Sequence, residues 1–298
     1  ESIQKSHLDQ LHLFSEVYNL RSLKHSNPKE IALAWQKYLQ SSLEKRNCEA
    51  FFTADVPTNQ LKSYVLTPDS QETLKKSQPS PLEENNTPSR TVELFNGEKL
   101  VIADDNKTFV YITSDEEENQ FTLDYKYYVS FYAPNQQVSG AYIFRPTENK
   151  SVEYSEIKNI SINKGDQVIE VRIERELVET RLRFFKDILA ETIEIHTTLL
   201  PVPIADKLGK EITLNIEETS INNDGVFYTD SNGLEMQKRV RNFRPTYDVE
   251  ILEPVAGNYY PINSAIYIED VKTQRRMTIM NDRSQGGSSL NDGGVEIM

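Results

Sequence analysis

The sequence predicts a mainly β protein: a large antiparallel β-sandwich preceded by a short N-terminal helical hairpin and a linker. Beyond Arg90, apolar residues recur at every second position in several short runs, as in strands with one buried face. Turn-rich segments join these runs, and helical periodicity is confined to residues 6–46. We therefore divide the chain into a helical segment at 1–50, a proline-rich linker or reduced small β region at 51–90, and the β-sandwich domain at 91–298.

The first 90 residues differ in pattern from the rest. Ser6 with Asp9 fits a capping box, and Asn27-Pro28 supplies an N-cap followed by a first-turn proline. Apolar residues follow these two starts at helical spacing: Leu8, Leu11, Phe14 and Tyr18, then Ile31, Trp35, Tyr38 and Leu39. A linker is expected next, because proline fixes φ and removes a backbone donor. Its prolines are Pro57, Pro68, Pro79, Pro81 and Pro88.

Strand predictions after residue 90 rest on alternation and on one clear turn signal. Asn96-Gly97, the strongest short hairpin signal in the chain, separates Val92–Leu94 from Leu100–Ile102. Further alternating sets are Phe109, Tyr111 and Thr113; Ile169, Val171 and Ile173; Ile193, Ile195 and Thr197; and Ile212, Leu214 and Ile216.

The stretch 253–294 predicts one more hairpin. The apolar runs Ala265–Ile268 and Met277–Met280 are expected to pair as strands, with the polar VKTQRR between them as the loop. Turn-rich segments at Pro254–Pro261 and Asn281–Gly294 enclose this hairpin.

Composition limits the class of protein. With 298 residues, the chain is long enough for roughly two domains of about 150 residues. The net charge of −13 argues against nucleic-acid binding, since an acidic surface repels phosphates. A single cysteine, Cys48, excludes a disulfide within the chain, and no apolar run is long enough for a membrane span. The N-terminus lacks a signal-peptide pattern, and a start at Glu1 suggests an excised piece.

The histidines do not form a recognisable metal site. His7 and His12 are five residues apart rather than four, and the H-x-D triplet at His7 falls within the helix-start pattern. His196 falls in an alternating strand pattern, and we interpret it as a polar-face or hydrogen-bonded histidine. The sequence contains no phosphate-binding glycine motif and no G-x-S-x-G nucleophile elbow. The residues alone therefore assemble no catalytic set.

Two other groups of residues leave alternatives open. Asp282, Asp292 and Glu296 near Arg283 could be the paired acids of a hydrolase, but we favour ordinary turn chemistry, because Asp and Asn beside glycines are typical of turns. Asn-x-Ser/Thr sequons are candidate glycosylation sites that permit a secretory-pathway protein, although some matches are expected by chance. They begin at Asn85, Asn106, Asn149 and Asn159.

A series of sequence blocks follows in order after residue 138. They read SGAYIFRP from Ser139, GKE from Gly209, FYTDSNG from Phe227, RNFRP from Arg241, EPVAGNYYP from Glu253 and DRSQGGSSL from Asp282. In wording and order they resemble the class II α-mannosidases, glycoside hydrolase family 38, and most of all the lysosomal branch. The resemblance covers residues 120–298 well and residues 1–90 poorly.

This resemblance implies a galactose mutarotase-like β-sandwich that follows a catalytic α/β domain and a helix bundle. For the intact parent it implies a retaining, zinc-dependent hydrolase that removes terminal α-mannose from N-glycans. The family's H-x-D, D-P-F-G-H and H-H-D-A motifs are not found in matching context. We therefore expect a non-catalytic portion, truncated at both ends, that binds no zinc and is inactive alone. Its partners would be the missing catalytic domain and the glycan, in a lysosome, vacuole or secretory compartment.

The resemblance also suggests roles for individual residues. Tyr142 is the preferred substrate-side residue, because family members lend a tyrosine of this domain to the sugar pocket. Arg283 is a second candidate contact; the alternative is an ion pair with Asp282 or Asp292 that pins its loop. We interpret the other motif residues as structural, holding turns or packing between domains: Asp230, Gly257, Asn258, Tyr259, Tyr260, Gly286 and Gly287. A stand-alone carbohydrate-binding or scaffold protein remains the alternative function.

Overall fold

A computed structural model describes residues 80–81, 89–140, 142–186 and 192–298. The predicted helical hairpin, most of the linker, and Asn85 lie outside these residues. The described residues form antiparallel sheets with one short 3-10 helix, Ala256–Asn258. This confirms the mainly β class. No helix within the described ranges is long and apolar enough to cross a membrane.

The described residues form eighteen strands, numbered here in chain order, and every pairing between them is antiparallel. They are β1 Ser80–Pro81, β2 Ser89–Glu93, β3 Lys99–Ala103, β4 Thr108–Ile112, β5 Glu118–Val129, β6 Val152–Glu153, β7 Ile157–Lys164, β8 Val168–Arg175, β9 Val178–Phe185, β10 Ile193–Leu199, β11 Lys210–Glu217, β12 Val226–Ser231, β13 Glu235–Val240, β14 Tyr260–Ile262, β15 Ala265–Asp270, β16 Arg275–Met280, β17 Gln285–Ser288 and β18 Gly294–Ile297.

The largest sheet has nine strands, in the order β14-β17-β18-β11-β5-β4-β3-β2, with β6 paired to β5. Its β2–β3 hairpin turns at Asn96-Gly97, as predicted. Both turn residues have positive φ, 56° and 87°, which the two-residue hairpin turn requires. The twelve-residue strand β5 runs between β4 and β11, so it connects the hairpin region to the last strands of the chain.

A second sheet, in the order β1-β7-β8-β9-β10, shares a core with the first. In strand β9, buried and partly exposed residues alternate. Val178 and Leu182 are fully buried on the core side, and Arg181 and Arg183 lie on the other face. Apolar residues from both sheets form one cluster. Its most buried members are Leu100, Ile102, Phe109, Leu123, Val171, Ile173, Val178 and Leu182.

The third sheet, β13-β12-β15-β16, contains the hairpin predicted in the stretch 253–294. Strands β15 and β16 pair as expected, but the loop is shorter than VKTQRR. Arg275 and Arg276 belong to β16, and Arg276 pairs across the hairpin with Glu269 at 3.0 Å. The Asp270 carboxylate closes the shorter loop by accepting the backbone N–H groups of Lys272 and Thr273.

The turn-rich segment Asn281–Gly294 also differs from the prediction, because it contains β17 and the first residue of β18. Gly287 is needed here because neighbouring side chains pack directly against its backbone. A Cβ on Gly287 would lie 3.0 Å from Ile262 and 3.2 Å from Ile266. Both isoleucines belong to a second apolar cluster, which β12, β14, β15 and β18 build together with Ile221. This cluster supports the loops described next.

Candidate functional site

Tyr142 lies at the tip of a tight turn. The backbone N–H groups of Gly140 and Ile143 each donate to the other's carbonyl oxygen, both at 3.1 Å. The side chain of Tyr142 is 100% exposed. Such a tyrosine presents a ring and a hydroxyl for contact outside this core, as an aromatic residue at a recognition surface does.

The base of this turn is fixed by hydrogen bonds and an ion pair. The Ser139 N–H donates to the Phe131 carbonyl at 3.0 Å, and the Phe131 N–H donates to the Ser139 hydroxyl at 2.9 Å. The Arg145 guanidinium pairs with Glu253 at 2.6 Å and lies 4.2 Å from the centre of the Phe131 ring. Because Arg145 and Glu253 belong to different sequence blocks, their ion pair joins SGAYIFRP to EPVAGNYYP.

Tyr259 connects this turn to the end of the chain. Its ring packs edge-on against Phe144, with centroids 5.2 Å apart, and Phe144 also packs edge-on against Tyr128 at 5.6 Å. The Tyr259 hydroxyl donates to Glu296 at 2.6 Å, and the Tyr128 hydroxyl donates to the same carboxylate oxygen at 3.0 Å. The Glu296 carboxylate is therefore held by two tyrosines, and both tyrosine rings pack against Phe144 of the SGAYIFRP block.

Burial dominates the electrostatics of this group. It raises the pKa of the Glu296 carboxyl above its ordinary value, and the hydrogen bonds from Tyr259 and Tyr128 offset only part of that effect. Burial, followed by the charge of Glu296, also raises the pKa of both phenols, which therefore remain donors at neutral pH. Glu296 lies in strand β18 and is 8% exposed, which differs from the turn role favoured above. The position of Glu296 between the apolar residues Val295 and Ile297 was the sequence signal for a strand here.

Arg283 lies on an exposed loop between β16 and β17. Its guanidinium donates to both carboxylate oxygens of Asp282, at 3.0 and 2.7 Å. Asp292 instead pairs with Arg241 at 2.6 Å. The loop continues to Gly286, where an added Cβ would lie 3.4 Å from the Tyr259 ring. The turn of Tyr142 and the loop of Arg283 thus both lead back to Tyr259, and the structure assigns no direct contact between Tyr142 and Arg283.

Asp230 is a structural residue in this arrangement. Its carboxylate accepts backbone N–H groups from Gly233 at 2.8 Å, Asn263 at 2.7 Å, Ser264 at 2.9 Å and Ala265 at 3.1 Å. Burial opposes ionisation, but these four hydrogen bonds outweigh it and lower the pKa of Asp230 well below its ordinary value. The carboxylate therefore fixes the end of β12 to the start of β15.

Asn258, Gly257 and Tyr260 also support the loops rather than line an open site. The Asn258 amide donates to the Asn242 side chain and to the Pro254 carbonyl, each at 2.7 Å, and it is 2% exposed. Gly257 donates its N–H to the Glu253 carbonyl at 2.8 Å and accepts from the Arg244 guanidinium. The Tyr260 ring lies 4.3 and 5.1 Å from two arginine guanidinium carbons.

Three of the sequons lie within the described residues. Asn149 and Asn159 are exposed, whereas Asn106 is partly buried in a turn and accepts a hydrogen bond from Arg90 at 2.9 Å. An attached glycan needs an exposed amide nitrogen, so Asn149 and Asn159 are the better placed.

The described residues offer no ligand set that fits zinc. Within them, no three His, Cys, Asp or Glu side chains come together to hold a metal ion. His196 lies exposed on β10, as the strand pattern predicts.

The structure is thus a β-rich domain in which the turn of Tyr142 and the loop of Arg283, both exposed, are connected to Tyr259. A family model described as the C-terminal domain of glycosyl hydrolases family 38 matches residues 96–298, more than half of the chain. The chain therefore belongs to this family.

Curated relatives agree with this assignment. The chain is 44% identical to the lysosomal alpha-mannosidase of Bos taurus and 42% identical to that of Homo sapiens, each over 163 residues. Each match covers 54% of this chain and 16% of the relative. An alpha-mannosidase of Arabidopsis thaliana is 33% identical over 251 residues, or 83% of this chain and 24% of the relative. The chain thus spans a quarter or less of the length of these relatives.

Proposed function

We propose that this chain is the non-catalytic β-rich portion of a retaining, zinc-dependent class II α-mannosidase of lysosomal type, which removes terminal α-mannose from N-glycans. The match of residues 96–298 to the family's C-terminal domain is the observation that carries this proposal. The named activity of the relatives supports the substrate class. Zinc and the nucleophile belong to the catalytic portion of the parent, which works in a lysosome, vacuole or secretory compartment.

The β-rich domain would be a two-sheet sandwich. The nine-stranded and five-stranded sheets would face each other as a galactose mutarotase-like sandwich. The core cluster with apolar side chains from both sheets supports this arrangement. One face of β9 contributes to that cluster, and the opposite face bears arginines, as expected of a strand with one side on a core.

Tyr142 and Arg283 are the substrate-side residues in this proposal. Both are exposed, and both lie on loops fixed near Tyr259. A tyrosine ring can pack on the C–H face of a sugar, while a guanidinium donates to hydroxyl oxygens. Asp282 holds the Arg283 guanidinium through two hydrogen bonds. The guanidinium would therefore already be oriented when a sugar binds.

An antibody raised against residues 89–298 tests the parent relationship directly. It should precipitate, from cells that express the gene, a polypeptide much larger than 34.3 kDa with chelator-sensitive hydrolysis of an aryl α-mannoside. The 298-residue chain alone should show no such hydrolysis. Recovery of only a short, inactive polypeptide would contradict the proposal and favour a stand-alone carbohydrate-binding protein.

Variants of the precipitated enzyme then test the substrate-side residues. Tyr142→Ala and Arg283→Ala should each lower kcat/KM at least about tenfold, since each removes a contact to the sugar. Tyr132→Ala is the matched control, because Tyr132 is 77% exposed and lies outside the shared blocks. Equal kcat/KM in all three variants would remove Tyr142 and Arg283 from the substrate side.

A further inference from the structure

A cleft of about 910 Å³ lies beside the carboxylate held by Tyr128 and Tyr259. Strand β5, the segment 148–153, Asn242, the Leu290–Asn291 pair and Glu296 contribute to its wall. This volume is within the range of small-molecule sites, roughly 300–1,000 Å³. Neither Tyr142 nor Arg283 lines the cleft, so it is separate from the substrate-side surface proposed above.

Three of the six charged residues that line this cleft are neutralised by ion pairs within the protein. Lys126 pairs with Glu217 at 3.6 Å, and Arg241 pairs with Asp292 at 2.6 Å. Glu153 pairs with Lys107 at 2.7 Å. Glu148 and Lys150, which also line it, make no ion pair with other described residues, but their charges are opposite. Cations and anions that already have partners do not attract a charged ligand strongly, because the ligand would have to replace an existing ion pair. The cleft is therefore better suited to a neutral ligand.

The remaining lining groups combine hydrogen-bonding side chains with an apolar surface. The side-chain amides of Asn149 and Asn291 make no hydrogen bond to other described residues, so each can donate and accept. The buried Glu296 carboxylate supplies a further acceptor at the back of the cleft. Apolar atoms come from Pro254, Val255 and Leu290.

Neutral polar groups beside an apolar patch complement a hexose, which has hydroxyls on its edge and C–H groups on its face. We propose that this cleft is a second carbohydrate site, which binds a neutral hexose unit through Asn149, Asn291 and Glu296, with Leu290 under the ring. The site does not depend on the mannosidase assignment, and it would equally serve a stand-alone carbohydrate-binding protein.

A titration of the 298-residue chain with methyl α-D-mannopyranoside tests this site by amide NMR. The chain should be made without N-glycosylation, because Asn149 itself begins a sequon and a glycan attached there would occupy the cleft. The cleft binds a free hexose only where Asn149 is unmodified. Saturable shifts are expected for the amides of Leu290, Asn291 and Glu296, with a dissociation constant in the millimolar range. Mannose 6-phosphate should bind no more tightly than the methyl glycoside, because Glu148 and Glu296 offset the positive charge of Lys150 in the lining.

Three variants separate this site from the exposed loops. Asn149→Ala combined with Asn291→Ala should weaken binding about five- to tenfold, the loss expected for one or two hydrogen bonds. Leu290→Asp should weaken binding further, because it replaces the apolar surface under the ring with a charge, and Tyr132→Ala, which lies outside the cleft, should leave the dissociation constant unchanged. Unchanged thermal unfolding would show that each variant is folded.

Several outcomes overturn the proposal. Absence of saturable shifts with the methyl glycoside would do so, as would undiminished binding by Leu290→Asp. Tighter binding of mannose 6-phosphate would instead make this an anion site. Binding that disappears with Tyr142→Ala but survives both cleft variants would assign the sugar to the substrate-side loop. Each result is independent of whether the parent polypeptide hydrolyses α-mannosides.

Discussion

The Tyr259 hydroxyl donates a 2.6 Å hydrogen bond to the Glu296 carboxylate, across 37 positions of sequence. The bond joins the EPVAGNYYP block to the last strand, and the Tyr259 ring extends the connection to Phe144 beneath the Tyr142 turn. A buried carboxylate is costly unless it is hydrogen-bonded, so the two tyrosines that donate to Glu296 fix its position. The loops that carry Tyr142 and Arg283 are both tied to this group.

Removal of the Tyr259 hydroxyl should destabilise the chain. Tyr259→Phe leaves the ring in place but takes one donor from a buried carboxylate, for which about 1–3 kcal/mol is expected. Urea unfolding measures the difference. Tyr260→Phe is the matched control, because the Tyr260 ring contacts arginines while its hydroxyl makes no hydrogen bond to other described residues. Equal losses in the two variants would show that the hydrogen bond to Glu296 has no net value.

Glu296 should also give the chain a specific pH dependence. Its folded-state pKa is raised above 4.5, so the folded protein binds this proton more tightly than the unfolded chain does. Its contribution to stability is therefore fully present below 4.5 and is lost as pH rises through the folded pKa. Glu296→Gln cannot ionise, so it should gain stability relative to the unsubstituted chain as pH rises through that window.

Unfolding free energies measured across this pH window test the effect. The informative quantity is the change with pH in the difference between the two proteins, because the glutamine alters the hydrogen bonds at every pH. A difference that stays constant from acidic to neutral pH would show that Glu296 ionises equally easily in the folded and unfolded states.

Two adjacent glycines should respond differently to the same substitution. A Cβ on Gly287 would meet two core isoleucines at 3.0 and 3.2 Å, whereas a Cβ on Gly286 would lie 3.4 Å from the Tyr259 ring, an ordinary contact. Gly287→Ala should therefore cost about 1–3 kcal/mol by overpacking, and Gly286→Ala clearly less. Thermal unfolding of the two variants compares them directly. A greater loss for Gly286→Ala would contradict this packing.

Some strands of this fold follow from local sequence patterns, and others do not. The Asn96-Gly97 hairpin was predictable because its turn needs positive φ at two adjacent residues. The β15–β16 hairpin was predictable from two apolar runs. Strand β17, with the sequence QGGS, was not predictable, because its glycines show no alternation of apolar and polar residues. The backbone of Gly287 instead packs directly against the Ile262 side chain. Strand β5 mixes charged, polar and aromatic residues over twelve positions, so it shows no simple period.

The candidate site was harder to predict than the fold. The wording of the blocks singled out Tyr142, Tyr259 and Arg283, but no local pattern shows that residues so distant in sequence converge. The nearby glycines favour a turn role for Glu296, whereas β18 pairs with β11 and β17 and Glu296 is buried there. Such long-range contacts are set by sheet topology, which local propensity does not specify.

Asp230 should be the most sensitive carboxylate for the stability of this region. Asp230→Asn removes the charge that four backbone N–H groups share and sets an amide N–H₂ against at least one of them, for an expected loss of about 1–3 kcal/mol. Asp248→Asn is the matched control, because Asp248 is exposed and its carboxylate makes no hydrogen bond to other described residues.

Since the folded-state pKa of Asp230 is lowered, its contribution to stability is present above 3.8 and is lost as pH falls through the folded pKa. The stability difference between the unsubstituted chain and Asp230→Asn should therefore shrink on acidification, and a difference that grows there would assign the four hydrogen bonds no role in holding the carboxylate ionised.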